Sequence, residues 1–433
     1  MEKITYWFKE KFWVTPAVYS LLAVALSVIF FYVDLLVVER YREYIPSILL
    51  TNVDLAKTIM GALAGALLTM TTFTFSTILV VLTMYSSQFS PRTLKNFVHD
   101  RLTWRVLGIF LGGFVYNTLS LLFMRDDLYS HNVISTFVGI LIAFFCLSAF
   151  AYFVHHIAST IQVSKLIIGL VEDAERVISL YEKLEDEQAG NPGQWAPVGI
   201  KEAVRAETSG YVQFISFDKM KDFSLEHEAK IELHVKTGDF VYEGKPLATI
   251  YLKKSSGKDL SEFWVIGQER TTEQDVDFAL QKLVEVGLRA ISPGINDPNT
   301  ANEILARIGR LLGRLGCLEL GPQHIENKEG EKVILYPFFS YKEILYHVYY
   351  QVSHYGKEDI SVLAAVTESL GIAAAMGDSR HHEALWNMEL YVLEGLEAQQ
   401  LKTLDRDFLQ KKIDELADAV NKRPVNLHTL EGD

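Results

Sequence analysis

The sequence predicts an α-helical membrane protein: four transmembrane helices, then a cytoplasmic α+β region made of a small β domain and a helical domain. Three observations carry this. Four apolar runs, each long enough to cross a hydrocarbon core of about 30 Å, fall within the first 160 residues of a 433-residue chain. The charge is split, since residues 1–160 hold 11 Lys and Arg against 9 Asp and Glu, and the remainder holds 30 against 45, for a net of −13. After residue 200 the pattern changes to alternation and then to amphipathic periodicity. The acidic second region argues against nucleic acid as a partner.

The elements follow in order. Met1–Trp13 mixes Lys3, Lys9 and Lys11 with Trp7, Phe8, Phe12 and Trp13, an interfacial anchor. Val14–Val33 is the first span, and Asp34 at its far end reads as a solvated residue at an outer mouth, with attraction of cations as the alternative. The second span belongs to a longer helix beginning near Leu55. From Thr58 through Pro91 no side chain is charged, and this stretch as helix would reach roughly 51 Å, beyond a bilayer core. Val106–Met124 and Val133–Val154 are the third and fourth spans. None has an ionisable residue near its middle, and Tyr116 and Asn117 are the strongest polar groups of the third, which lowers the reading of a proton-coupled transporter. Lys and Arg cluster at the N-terminus and at Arg92, Lys95, Arg101 and Arg105, so those ends face the cytoplasm. Four spans then return the chain to that side and place both termini in the cytoplasm of a cell whose inner membrane holds the bundle. Cys146 and Cys317 lie in different regions, so no structural disulfide is expected.

The second span has two kinds of polar logic. Gly61 and Gly65 form a small-xxx-small pair suited to helix packing. Thr69, Thr72, Ser76, Thr83 and Ser87 recur close to helical spacing and fall along one face. Hydroxyls in lipid serve as glue between helices, bond to their own helix, or line a pore. Glue is the commoner use, and pore lining is the sharper reading.

The domains expected are 1–160 for the membrane bundle, 161–190 for a helical stalk continuing span four, 200–266 for the β domain, 267–421 for the helical domain and 422–433 for a polar tail. In the β domain, Ser209-Gly-Tyr-Val and Gly238-Asp-Phe-Val-Tyr-Glu-Gly-Lys-Pro-Leu247 resemble the two halves of the barrel-sandwich hybrid of lipoyl, biotinyl and membrane-fusion-protein domains. The residues themselves put Gly238 and Gly244 at turns and point Val241, Leu247 and Ile250 inward. Lys254 stands where a carrier lysine would fall, but without the methionines that flank one, so no cofactor is expected.

In the helical domain, Thr271 and Thr272 with Gln274 and Asp275 offer a cap for a helix Glu273–Ile291. Pro293 and Gly294 stop it, and Asp297 caps the next helix with Pro298 at its first position. That helix runs to about Leu315 with Arg307, Arg310 and Arg314 on one face. The Asn296-Asp297-Pro298 loop reads as a tight interhelical turn, or as an anion or ligand site assisted by Arg270 or Arg289. Glu343, His347 and His354 sit on one helix, where packing or capping is a commoner role than metal binding. No metal site is expected, and Ala364–Ala375 suits close packing or a subunit contact.

Three stretches are shared with a known family. Ser86-Ser-Gln-Phe-Ser-Pro-Arg92, Arg270-Thr-Thr-Glu-Gln-Asp275 and Leu288-Arg-Ala-Ile-Ser-Pro-Gly-Ile-Asn-Asp-Pro-Asn-Thr-Ala301 resemble signatures of a bacterial family of predicted membrane proteins catalogued as domain of unknown function DUF2254. The resemblance implies four spans and a cytoplasmic C-terminal half, and brings neither an activity nor catalytic residues. The functional expectation is a homo-oligomeric channel for ions or small solutes in the lipid bilayer, lined by the second span. The alternative is a non-conducting receptor or scaffold binding a cytoplasmic ligand near Arg289, Asn296 and Asp297. An enzyme ranks third, because no acid–base or nucleophile constellation is visible.

Overall fold

The computed structural model describes residues 14–41, 44–88, 101–124, 132–160, 162–186, 195, 197–254, 260–394, 396 and 401–428. The Met1–Trp13 anchor, the loop with Pro91, Arg92 and Lys95, the acidic loop Arg125–Asp127, the Gly190–Gly193 break and parts of the 253–258 hairpin and C-terminal tail lie outside these residues. The chain forms two compact units, Met1–Leu166 and Ile167–Asp433.

The first unit is a bundle of four apolar helices long enough to cross a membrane. Helix α1 (Val14–Tyr32) continues as a π-helical segment, Val33–Val38. Helix α2 (Val53–Gln88) has 36 residues and is preceded by strand β1 (Thr51–Asn52). Asn52 caps it by accepting from the Asp54 N–H at 2.9 Å. Helix α3 (Arg101–Phe123) and helix α4 (Ser135–Thr160) complete the bundle. Strand β2 (Asn132–Val133) pairs antiparallel with β1, placing the starts of α2 and α4 at one end. The spans match those expected to within a few residues, except that the first runs on through its π turn.

Glycines decide how closely these helices pack. A Cβ on Gly108 would lie 2.9 Å from the Tyr19 ring, and one on Gly112 would lie 3.2 Å from the Tyr19 carbonyl oxygen. These glycines let α3 approach the backbone of α1. A Cβ on Gly113 would sit 3.0 Å from Cys146 Sγ and 3.2 Å from Leu67, where α2, α3 and α4 meet.

Helix α5 (Val163–Asp186) runs from the last residues of the first unit into the second. Its apolar stripe, Val171, Ala174, Val177, Ile178 and Tyr181, is buried. Two sheets follow. The first contains β3 (Ile200–Arg205), β5 (Lys230–Leu233), β7 (Pro246–Leu252), β9 (Pro322–Glu326) and β10 (Lys332–Pro337) in the order β3-β7-β5-β10-β9. The second has the order β6-β4-β8, with β4 (Gly210–Ile215), β6 (Phe240–Val241) and β8 (Trp264–Gly267). All pairings are antiparallel except β5–β10, which aligns Ile231 with Ile334. The sheet thus reaches beyond residue 266, because β9 and β10 join its edge. Gly238 and Gly244 take φ of +90° and +85°, and Val241, Leu247 and Ile250 are buried, as the sequence led us to expect.

The helices are α6 (Phe217–His227), α7 (Val276–Ala290), α8 (Pro298–Leu315), α9 (Tyr341–Gly356), α10 (Ile360–Met376), α11 (His382–Leu393) and α12 (Thr403–Ala419). The arginine face of α8 meets α5: Arg310 pairs with Glu175, and Arg314 with Glu182 at 2.7 Å. Helices α8 and α10 pack backbone to backbone. A Cβ on Gly309 would lie 2.5 Å from the Ser369 carbonyl oxygen, and one on Gly313 2.6 Å from Met376 Cβ. The Ser369 hydroxyl donates to the Leu305 carbonyl at 2.6 Å. Of the small residues in Ala364–Ala375, Ala364, Ser369, Ala373 and Ala374 are buried inside the unit, while a Cβ on Gly371 would meet nothing within 4 Å and Ala375 is exposed.

Candidate functional site

The hydroxyl face of α2 points away from its own bundle. Met60, Ala64, Leu67, Thr74, Ile78 and Val81 form the buried face. Gly61, Gly65, Thr69, Thr72, Ser76 and Thr83 are exposed in the single chain. A Cβ built on Gly61 or Gly65 would meet nothing within 4 Å, so among the described residues this pair packs against no helix. The hydroxyls donate to their own helix: Thr69 to the Gly65 carbonyl at 2.9 Å, Thr72 to Leu68 at 3.0 Å and Thr83 to Leu79 at 2.9 Å. Thr71 and Thr77 do the same. With the donor used internally, each oxygen keeps lone pairs free to accept. The face is therefore a line of acceptors among apolar neighbours such as Phe73 and Val80. Ser87 belongs to the helix, but its side chain is outside the described atoms.

Asp34 is not a solvated mouth residue. It is buried, and its carboxylate accepts from the Ile134 N–H at 2.7 Å and the Ser135 N–H at 3.3 Å. The π-helical segment turns it inward to cap the start of α4. Because the partner lies 100 residues away, nothing in the local sequence announced this.

Arg270, proposed as a ligand contact, is engaged within the protein. Its guanidinium donates twice to Asp275, at 2.8 and 2.9 Å, and once to Asp277 at 3.2 Å. Asp275 also caps α7 by accepting from the Phe278 N–H at 2.9 Å. Burial pushes the Asp275 carboxyl up to about 6, with Arg270 pulling the other way. Asp277 meets His347 Nδ1 at 2.8 Å, and Gln281 donates to Asp277 at 2.7 Å. Gln274 closes the motif from the other side, with its side chain both accepting from the Ile215 N–H (2.8 Å) and donating to the Ile215 carbonyl (3.0 Å), as a neighbouring strand would. Gly238 is required beside this cluster, since a Cβ there would stand 2.0 Å from Asp275 Oδ2. Sequence reasoning missed Asp277, Gln281 and Gly238 in these roles; the only available signal was the crowding of charge at the start of α7.

The Asn296 loop lies at the other end of α7, whose 15 residues span roughly 22 Å. The structure therefore does not bring Arg270 together with Arg289, Asn296 and Asp297. Arg289 is exposed on the last turn of α7. Asn296 takes φ of +52°, a left-handed conformation that asparagine tolerates. The Asp297 N–H donates to the Ala290 carbonyl at 2.8 Å, and the Asp297 carboxylate accepts from the Thr300 N–H at 3.3 Å and its hydroxyl at 2.6 Å. The loop is thus built as a tight turn with Asp297 as cap. On α9, Glu343 turns to Ser340 in a capping box and His347 to Asp277, so the two point to separate partners. Among the described residues no group of three or more His, Cys, Asp or Glu side chains is arranged to hold a metal.

Comparison with known proteins adds a family. The family model described as a predicted membrane protein, DUF2254, matches residues 9–371. The uncharacterized protein Rv1290c of Mycobacterium tuberculosis and the uncharacterized protein Mb1321c of Mycobacterium bovis are each 27% identical over 334 residues, covering 74% of this chain and 64% of the relative. The chain thus spans under two thirds of the length of these relatives. No solved structure matches it. With the family model running from just before the first span into α10, the chain belongs to the DUF2254 family of predicted membrane proteins.

Proposed function

We propose that the protein is a homo-oligomeric channel for ions or small solutes, with the exposed face of α2 lining a path between subunits. One observation carries the reading: on a 36-residue helix, the hydroxyls and the glycine pair share a face that none of the described residues covers. Gly61 and Gly65 would admit the neighbouring subunit, and the Thr and Ser oxygens would replace part of an ion's water. We read the second unit as a cytoplasmic gate with a barrel-sandwich-like β module, with both termini on the cytoplasmic side of the inner membrane. The charge bias of the loops and the turns at Gly238 and Gly244 support that placement and fold. An acidic vestibule concentrates cations. The receptor alternative is weakened by Arg270, which is engaged with Asp275 and Asp277. We do not assign an enzymatic activity.

The test is ion flux through the purified chain in liposomes, beside Thr72→Leu and Ser76→Leu. Flux that falls in the variants while folding is unchanged supports α2 as the wall. Absence of flux under all gradients, or flux indifferent to both substitutions, sinks the channel reading.

A further inference from the structure

Asp277, in the first turn of α7, and His347, on α9, meet inside the second unit, with His347 Nδ1 2.8 Å from Asp277 Oδ1. The Asp277 side chain is 4% exposed and that of His347 37%. The other Asp277 oxygen, Oδ2, accepts from Gln281 at 2.7 Å and from Arg270 at 3.2 Å. An ionised carboxylate only accepts, so the ring proton sits on Nδ1 and the lone pair on Nε2. Among the described residues Nε2 has no hydrogen-bond partner, and it is not one of the buried orphan nitrogens, so it opens to solvent.

A cation stands beside this ring. His347 lies edge-to-face with Phe339, centroids 6.3 Å apart, and the Lys236 ammonium is 3.5 Å from the centre of the same Phe339 ring. Lys236 belongs to the turn between β5 and β6. Glu343, one turn before His347, has its carboxyl lowered first by the Ser340 amide and further by Lys236 and His347. The three side chains therefore border one stretch of surface.

A tie between α7 and α9 needs only the Nδ1 bond. The arrangement supplies three things more: a carboxylate fixed through its far oxygen by two donors, an open lone pair on Nε2, and an ammonium beside the neighbouring ring. Together they suit a nitrogen nucleophile that takes up a phosphoryl group. The lone pair attacks phosphorus, the buried carboxylate balances the imidazolium that forms, and the cation meets the phosphoryl oxygens.

We propose that His347 is a phosphoryl-acceptor site, held by Asp277 and assisted by Lys236, for donors of the acyl phosphate or phosphoramidate class. The Nε2–P bond forms, the bond from phosphorus to the donor's leaving group breaks, and the electron pair departs with that group. Nδ1 keeps its proton, facing Asp277. The site lies within the second unit and does not depend on the pore.

The test is labelling of the purified full chain in detergent with phosphoramidate at neutral pH, each histidine being read by mass spectrometry of peptides kept out of acid. His354, on the same helix, is the internal standard: it is exposed where His347 is only partly so, and exposure alone would make it the faster. We expect His347 to be labelled at least about ten times faster than His354. In Asp277→Asn the Gln281 and Arg270 donors hold the amide oxygen, so the amide nitrogen faces His347 Nδ1 and the ring proton moves to Nε2. Labelling of His347 then falls to the His354 rate or below, while His354 is unchanged. Lys236→Gln slows His347 by a smaller factor. A wild-type His347 labelled no faster than His354, or a His347 rate untouched by Asp277→Asn, overturns the proposal and leaves the pair as a tie between two helices. The wild-type comparison decides even where the variant fails to fold.

Discussion

Two glycine pairs with the same spacing have opposite fates in this molecule. Gly309 and Gly313 on α8 press against α10, close enough that an added Cβ would collide at 2.5 Å with the Ser369 carbonyl oxygen and at 2.6 Å with Met376 Cβ. Gly61 and Gly65 on α2 meet nothing within 4 Å. The contrast extends to polar groups. In the second unit Gln274, Asp277 and Ser369 are satisfied across elements far apart in sequence. On the outward face of α2, Thr69, Thr72 and Thr83 are satisfied four residues away, by their own helix. Long-range satisfaction fixes a face to one neighbour, whereas local satisfaction leaves it free for lipid or another subunit. Spacing alone cannot distinguish the two.

This contrast can be broken at its strongest point by Arg270→Met. Two buried carboxylates, Asp275 and Asp277, then lose their shared partner, and a loss of about 3 kcal/mol is expected. Denaturant unfolding of the purified chain measures it; a change near zero would mean the network is not closed as described.

The next effect depends on pH. Glu389 is fully buried, accepts from the Thr367 hydroxyl at 2.9 Å and has an unpartnered Oε2. Burial raises its carboxyl to about 7. Folding therefore favours the protonated form. The stability this confers is complete below the ordinary carboxyl range and is lost as pH rises to about 7. Glu389→Gln removes the loss, so at pH 8 the variant is expected to be more stable than wild type by up to about 3 kcal/mol, and at pH 4 nearly equal to it. Melting curves at both pH values check the sign.

Gly309→Ala forces backbone apart and is expected to cost about 1–3 kcal/mol. Its counterpart Gly65→Ala, together with Thr72→Val, is expected to change the stability of the protomer by no more than about 0.5 kcal/mol. If Gly65→Ala instead lowers stability and also shifts the oligomeric state on size-exclusion chromatography, the open face is a subunit contact. If it does neither, the face belongs to lipid.

Much of the fold was legible. Charge-free runs mark spans because an unpaired charge in hydrocarbon is expensive, and Asp297-Pro298 marks a helix start because both residues act within one turn. The candidate sites were less so. The sequence suggested that Arg270 and Asn296 share a ligand, since both lie in distinctive motifs, yet α7 holds them at its two ends. Asp34 looked exposed because its partners lie 100 residues on.

The sequence by itself determined the spans, the Asp297 cap, the turns at Gly238 and Gly244 and the split of charge between the two regions; it put the cap of α7 at Thr271 and Thr272, where the structure has Asp275. These depend on interactions within a few residues and on transfer between water and lipid, both of which are written locally. Only the tertiary structure decided which glycine pair is filled, that β9 and β10 complete the sheet, that Asp277 meets His347, and that Asp34 caps the start of α4. Those outcomes depend on which distant surfaces pack together, and that is a property of the whole chain's packing rather than of any one stretch.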